Sequence, residues 1–151
     1  MTSASTSFLP PDDVEGYGAR PQRAAHNLSV LVIDDNADAR SLLVFWLRDR
    51  GCRVFDESNG DAGAETALRE RPDLILTDLS MPHTDGFVTA RRIRSHEETR
   101  HTPIVAVTAM MVDQVRGEAI AAGCSEVIGK PVDYARLEQI LTSIRPREII
   151  L

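Results

Sequence analysis

Four short apolar runs and one weaker one punctuate this chain, each bounded by turn-forming or charged residues. Ser29-Val30-Leu31-Val32-Ile33, Leu74-Ile75-Leu76-Thr77 and Ile104-Val105-Ala106-Val107-Thr108 lack the polar alternation of a half-exposed strand. Such runs read as strands buried on both faces. Glu126-Val127-Ile128 is a shorter one, and Val54-Phe55 marks a less apolar strand suited to an edge.

Helical patterns fill the intervals. Asn36 can cap a helix from Ala37 to about Arg50, closed by Gly51. Ser58-Asn59-Gly60 is a turn and cap, and Ala62, Ala64, Ala67 and Leu68 lie along a helix that stops before Pro72. Asp85-Gly86 starts a third helix, running to about Arg94, and His96 to Thr102 reads as a polar connector. A fourth spans Asp113 to Ala122 and ends at Gly123. The last starts at Asp133 with Leu137, Ile140, Leu141 and Ile144 in one buried stripe, and Pro146 ends it. Strands alternating with helices predict an α/β fold on a parallel sheet, both faces covered. In such folds ligands bind at the carboxyl ends of the strands.

Composition adds limits. The chain has 151 residues, 42% hydrophobic and 26% charged, as expected of one soluble domain plus a tail. Its net charge of −6, with no basic block, argues against direct DNA binding or attachment to an anionic membrane. No apolar run approaches the ~20 residues needed to cross a bilayer, and no secretory signal is visible. Two cysteines suit a reducing compartment, so a cytoplasmic location is expected. Residues 1–27 are rich in Ser, Thr, Pro, Gly and Ala, and a mobile tail is expected there. Residues 28–145 form the domain and 146–151 a short C-terminal tail.

The chemistry gathers at one edge. Strand one ends in Asp34-Asp35, strand three in Asp78, strand four in Thr108, and strand five leads to Lys130. Each alone reads as a cap, a solvated lysine or a strand-favouring threonine. All at strand ends, they form a constellation. Three converging carboxylates repel and raise at least one pKa unless a cation neutralises them. Such hard oxygen donors suit Mg²⁺. A hydroxyl and an ammonium facing them can hold phosphoryl oxygens. The chemistry assembled is metal-assisted phosphoryl transfer onto a carboxylate.

With VLVIDD, LILTDLSMP followed by DG, IVAVTA and GKP in order, the stretch from about Leu28 to Ile144 resembles the receiver domain of bacterial two-component response regulators. The resemblance implies a flavodoxin-like (βα)5 doubly wound sheet of strand order 2-1-3-4-5. It implies that Asp78 is the phosphoacceptor, that Asp35 ligates Mg²⁺ directly and Asp34 mostly through water, and that the Ser80 backbone carbonyl completes the protein ligands. Thr108 and Lys130 would contact the phosphoryl oxygens, and Lys130-Pro131 would be a cis peptide. The implied partners are a histidine kinase or histidine phosphotransfer protein and a downstream protein target. The domain would promote only its own phosphorylation and dephosphorylation.

Departures from the family pattern stand beside the matches. Val127 occupies the place, three residues before the lysine, of an aromatic that normally acts as a rotamer switch. Thr84 replaces an apolar loop residue, while Ser80 and Met110 sit where phosphoryl lifetime is tuned. Leu42-Leu43-Val44-Phe45-Trp46-Leu47 is apolar around more than one helix face. This is either a helix buried between sheet and tail, or one whose exposed part is a docking face for a helical phosphotransfer partner or for a second copy in a homodimer. Cys52 and Cys124 flank opposite sheet edges, too far apart to bridge.

Only Arg145 to Leu151 follow the last helix, so a stand-alone phosphoacceptor is expected; a receiver fragment of a larger hybrid kinase or regulator is the alternative. An aspartyl-phosphate phosphatase of the haloacid dehalogenase type would need a second Asp two residues after a nucleophile on strand one. Residue 36 is Asn. A flavodoxin-like binder would need a phosphate-cradling loop there, and none is present.

Overall fold

The computed structural model describes residues 26–81 and 85–146. In chain order the elements are β1 (Ser29–Ile33), α1 (Ala37–Asp49), β2 (Arg53–Glu57), α2 (Gly60–Glu70), β3 (Leu74–Asp78), α3 (Gly86–Arg94), a 3-10 turn (Glu97–Thr99), β4 (Ile104–Thr108), α4 (Val112–Ala122), β5 (Glu126–Gly129) and α5 (Tyr134–Ser143). The five strands form one parallel sheet in the order β2-β1-β3-β4-β5.

Alternation along each strand divides the core in two. Leu31, Ile33, Ile75, Ile104 and Ala106 face α2, α3 and α4. Val30, Val32, Leu74, Leu76, Val105 and Val107 face α1 and α5. Every residue of β1, β3 and β4 is buried, whereas β2, at the edge, has only exposed and half-buried residues. That is the pattern of a sheet covered on both sides. Truncating one of the fully buried leucines to alanine would cost about 2–5 kcal/mol.

The helices are entered through short polar caps. Asn36, Asn59 and Asp133 accept hydrogen bonds from the backbone N–H of Ala39, Ala62 and Arg136. Gly51 follows α1 with φ 85°, a left-handed conformation glycine adopts readily. Arg71 closes α2 in the same region, φ 45°, immediately before Pro72.

Two elements differ from the sequence reading. The connector 96–102 contains a 3-10 turn, held because Thr99 Oγ1 donates to the Ile93 carbonyl and Arg94 Nη1 donates to the carbonyls of Thr99 and Arg100. Helix α5 ends at Ser143, so Ile144 lies beyond it in extended conformation, yet still packs on the α1/α5 cluster. Arg145 precedes Pro146, which disfavours the helical region there, and the chain leaves the helix early.

His26 is tied to the domain: its backbone N–H donates to the Arg50 carbonyl, and its Nε2 lies 2.8 Å from Glu138 of α5. Arg50 also reaches Glu138 at 3.0 Å and lies over the Trp46 ring, which meets Tyr134. The tail expected over residues 1–27 lies outside the described residues up to residue 25, as do residues 147–151. Cys52 and Cys124 are free and buried. No helix among the described residues is long and apolar enough to cross a membrane.

Candidate functional site

Parallel strands of similar length bring their carboxyl ends to one edge. Ile33 pairs with Thr77, Asp78 with Val107, and Thr108 with Gly129, so the residues that follow them emerge side by side. Asp34, Asp35 and Asp78 each offer an oxygen within 4.8 Å of the others. Asp34 and Asp78 are buried at 2% and 6% exposure, while Asp35 is exposed. Lys130, carried on the loop after β5, reaches across β4. Its Nζ lies 2.9 Å from Asp34 Oδ2 and 3.2 Å from Asp78 Oδ2. The peptide that follows, Lys130–Pro131, is cis.

The remaining bonds fix the carboxylates. Asn36 N–H donates to Asp34 Oδ1 and Ser80 N–H to Asp78 Oδ1. Ser80 also bridges Asp85, which caps α3 by accepting from Phe87 N–H. A side chain at Gly86 would collide with the Asp78 carbonyl and the Leu79 backbone, so glycine lets α3 start hard against the strand end. Thr84, singled out in the loop, lies outside the described residues, as do Pro82 and His83.

Thr108 is fully buried at the end of β4, and its hydroxyl accepts from Met110 N–H at 3.0 Å. Its carbonyl accepts from Lys130 N–H. Val127 is 4% exposed and already lies in the core with Val115 and Ala119, with Val112 packed against the cluster. Met110 and Met111 are exposed. On α1, Leu43, Val44 and Leu47 are buried while Leu42 and Phe45 are exposed at 59% and 72%.

The electrostatics depart from a simple repulsion picture. Burial is the largest influence on Asp78 and raises its pKa above the ordinary 3.8. The Ser80 N–H and the Lys130 ammonium pull it down, and nearby Asp34 pushes it up; the net direction is upward. Lys130 alone would draw its partner downward, so desolvation wins. For Lys130 burial opposes the charge, but the hydrogen bond to Asp34 and the field of both carboxylates outweigh it, and its pKa rises. The sequence reading expected a raised carboxyl from mutual repulsion; the direction agrees, and the first cause is desolvation.

Three hard oxygen donors, two buried and one open to solvent, fit a divalent cation of the Mg²⁺ type better than a soft metal. An ammonium across two of them, beside an exposed third carboxylate, suits a doubly charged oxyanion brought from outside. Arg40 is the residue the sequence reading missed. One turn into α1, it donates from Nη1 to the Asp34 carbonyl at 2.7 Å and from Nε to Asp56 Oδ2 at 3.0 Å. Its sequence signal is a cation near a helix N-terminus, where the dipole disfavours it unless a specific partner holds it.

Comparisons with known proteins bear on this geometry. The profile of the family described as "Response regulator receiver domain" matches residues 30–142, well over half the chain. The transcriptional regulatory protein ResD of Bacillus subtilis is 35% identical over 122 residues, covering 81% of this chain and 45% of ResD. This chain thus spans less than half of that relative. Among solved structures, the receiver domain of a sensor histidine kinase of Pseudomonas aeruginosa, with magnesium coordinated in its active site cleft, is 33% identical. It covers 77% of this chain and 95% of its own, at a TM-score of 0.71. The receiver domain of the Saccharomyces cerevisiae regulator Ssk1, solved with the histidine phosphotransfer protein Ypd1, is 25% identical. It covers 77% of this chain and 87% of its own, at a TM-score of 0.70.

A stability test follows from the buried carboxylates. Because the folded pKa of Asp78 lies above 3.8, folding disfavours its ionised form. That cost is absent below the unfolded value and fully present once pH exceeds the folded one. Asp78→Asn removes the charge while Lys130 keeps Asp34. In Mg²⁺-free buffer the variant is expected to melt at or above wild type at neutral pH, with the advantage shrinking toward about pH 4. Scanning calorimetry across that range checks it. A variant several degrees less stable at neutral pH contradicts the sign.

Proposed function

The chain belongs to the response regulator receiver domain family, and we propose that its phosphoacceptor in two-component signalling is Asp78. The observation that carries this reading is the Lys130 ammonium bridging Asp34 and Asp78 beside a third, exposed carboxylate. A phosphohistidine of a histidine kinase or histidine phosphotransfer protein is the donor. One oxygen of the Asp78 carboxylate attacks the phosphorus, a P–O bond forms, and the P–N bond to the donor imidazole breaks. The electron pair leaves with that nitrogen, which is then neutral or takes a proton from water.

Asp34, Asp35, Asp78 and the Ser80 backbone carbonyl would hold Mg²⁺. When bound it supplies positive charge against the phosphoryl oxygens. Lys130 would follow the charge: its ammonium spans the two buried carboxylates, which supports its turning to an oxygen of the new acyl phosphate. Ser80 N–H, now bonded to Asp78 Oδ1, orients the carboxylate for attack. Thr108 would exchange its bond from Met110 N–H for a donated bond to the phosphoryl group. The module promotes its own phosphorylation and dephosphorylation only, and signals by changed contacts with a downstream protein. The exposed Leu42 and Phe45 on α1, the helix that follows the acidic pair, support docking of the donor there. Two free, buried thiols support a cytoplasmic location.

Acetyl phosphate and Mg²⁺ are expected to label the wild-type chain, and Asp78→Asn or chelation of the metal to reduce labelling at least about 100-fold. Wild-type labelling of Asp78→Asn overturns the assignment.

Val127 is short and already buried, so it cannot sweep the volume an aromatic would. The conformational response should therefore pass through the Thr108 bond into the backbone of residues 109–112. With a beryllofluoride mimic, amide shifts are expected there and not at Val127. A quiet 109–112 segment with large changes at Val127 and α5 would show another route.

A further inference from the structure

Asp34 is bonded at every polar position. Its N–H donates to the Glu57 carbonyl, Oδ1 accepts from Asn36 N–H, and Oδ2 accepts from Lys130. Its carbonyl oxygen, which belongs to the peptide unit joining Asp34 to Asp35, accepts from Arg40 Nη1 at 2.7 Å. The same guanidinium donates from Nε to Asp56 Oδ2 on β2 at 3.0 Å. Arg40 is thus a fork between the peptide linking the acidic pair and the neighbouring strand. Its side chain is only 19% exposed.

The geometry points to Arg40 as a positioning residue for the acidic pair: by clamping the Asp34–Asp35 peptide to Asp56, it aims the exposed Asp35 carboxylate at the cation site. This rests on the reading of Asp34, Asp35 and Asp78 as that site. Asp35 has no buried surroundings to hold it, so its direction depends on the backbone that carries it. An isolated arginine this close to the cluster would repel a cation. Asp56 offsets that charge, which leaves the guanidinium free to orient without opposing the metal. A guanidinium suits this role because its planar fork holds two donors in a fixed relation, which a freely rotating ammonium does not. Residues that orient ligands in this way typically tune metal affinity about 10- to 100-fold.

The test is calorimetric titration of MgCl₂ into the full chain, with melting in chelator as the measure of folding. Arg40→Met is expected to weaken Mg²⁺ binding about 10- to 100-fold while the metal-free chain stays cooperatively folded. Asp56→Asn alone is expected to weaken it at least about twofold, and the double variant to bind no worse than Arg40→Met, because the two act through one clamp. Unchanged affinity in Arg40→Met, or the tighter binding that simple repulsion gives, overturns the inference. Additive losses in the double variant overturn the clamp. If Arg40→Met does not fold, unchanged binding in Asp56→Asn overturns it equally. A wild-type chain that binds no Mg²⁺ removes the metal site itself and the inference with it, an outcome distinct from a wild type that binds and a variant that binds alike.

Discussion

One ammonium stands between two buried carboxylates, and the rest of the site depends on it. Lys130 comes from the loop after β5, Asp34 from the end of β1 and Asp78 from the end of β3. Without it Asp34 and Asp78 would face each other with little water to screen them. Removing the ammonium would leave that repulsion uncompensated. The sheet order is what permits the contact: β1 and β3 are adjacent, and only β4 separates β3 from β5. A fold that stores two carboxylates under one cation is prepared for charge that arrives later. The upward direction of the Asp78 pKa marks the same strain, since burial opposes the ionised form that a nucleophile needs.

Much of this was legible in the sequence because the buried strands carry no polar alternation and each ends in a group of distinct chemistry. The runs at Ser29–Ile33, Leu74–Thr77 and Ile104–Thr108 located the sheet, and the residues at their ends pointed to the carboxylate cluster that the structure brings together. The capping residues Asn36 and Asn59 were equally plain, because a side-chain acceptor before an apolar stripe has few other uses. What escaped depends on contacts between distant residues. The 3-10 turn at Glu97–Thr99 rests on Arg94 and on the Thr99 hydroxyl, and the tie from His26 rests on Glu138 at the other end of the chain. Neither has a local pattern. Arg40 escaped because an arginine in a helix is unremarkable until its partners, a carbonyl and a carboxylate on another strand, are known. The dominance of desolvation at Asp78 was hidden for a related reason: spacing reports which charges meet and not how far water is excluded.

Val127 separates this chain from the family pattern in a way that constrains its switching. It sits inside the core beside Val115 and Ala119 and pairs in register with Ala106. Nothing at that position can move outward or inward by the volume of a ring. On the proposed reading a change at the site would reach the surface through the backbone after β4, where Met110 and Met111 are exposed between Thr108 and α4.

The central claim is a covalent one, that an acyl phosphate forms at Asp78, and borohydride trapping addresses it directly. The chain is phosphorylated, reduced with borohydride, digested and mapped by mass spectrometry. Conversion of residue 78 alone to homoserine is the result this account predicts. Reduction at Asp34 or Asp35, or a phosphoryl group that survives reduction on a hydroxyl or an imidazole, would contradict it.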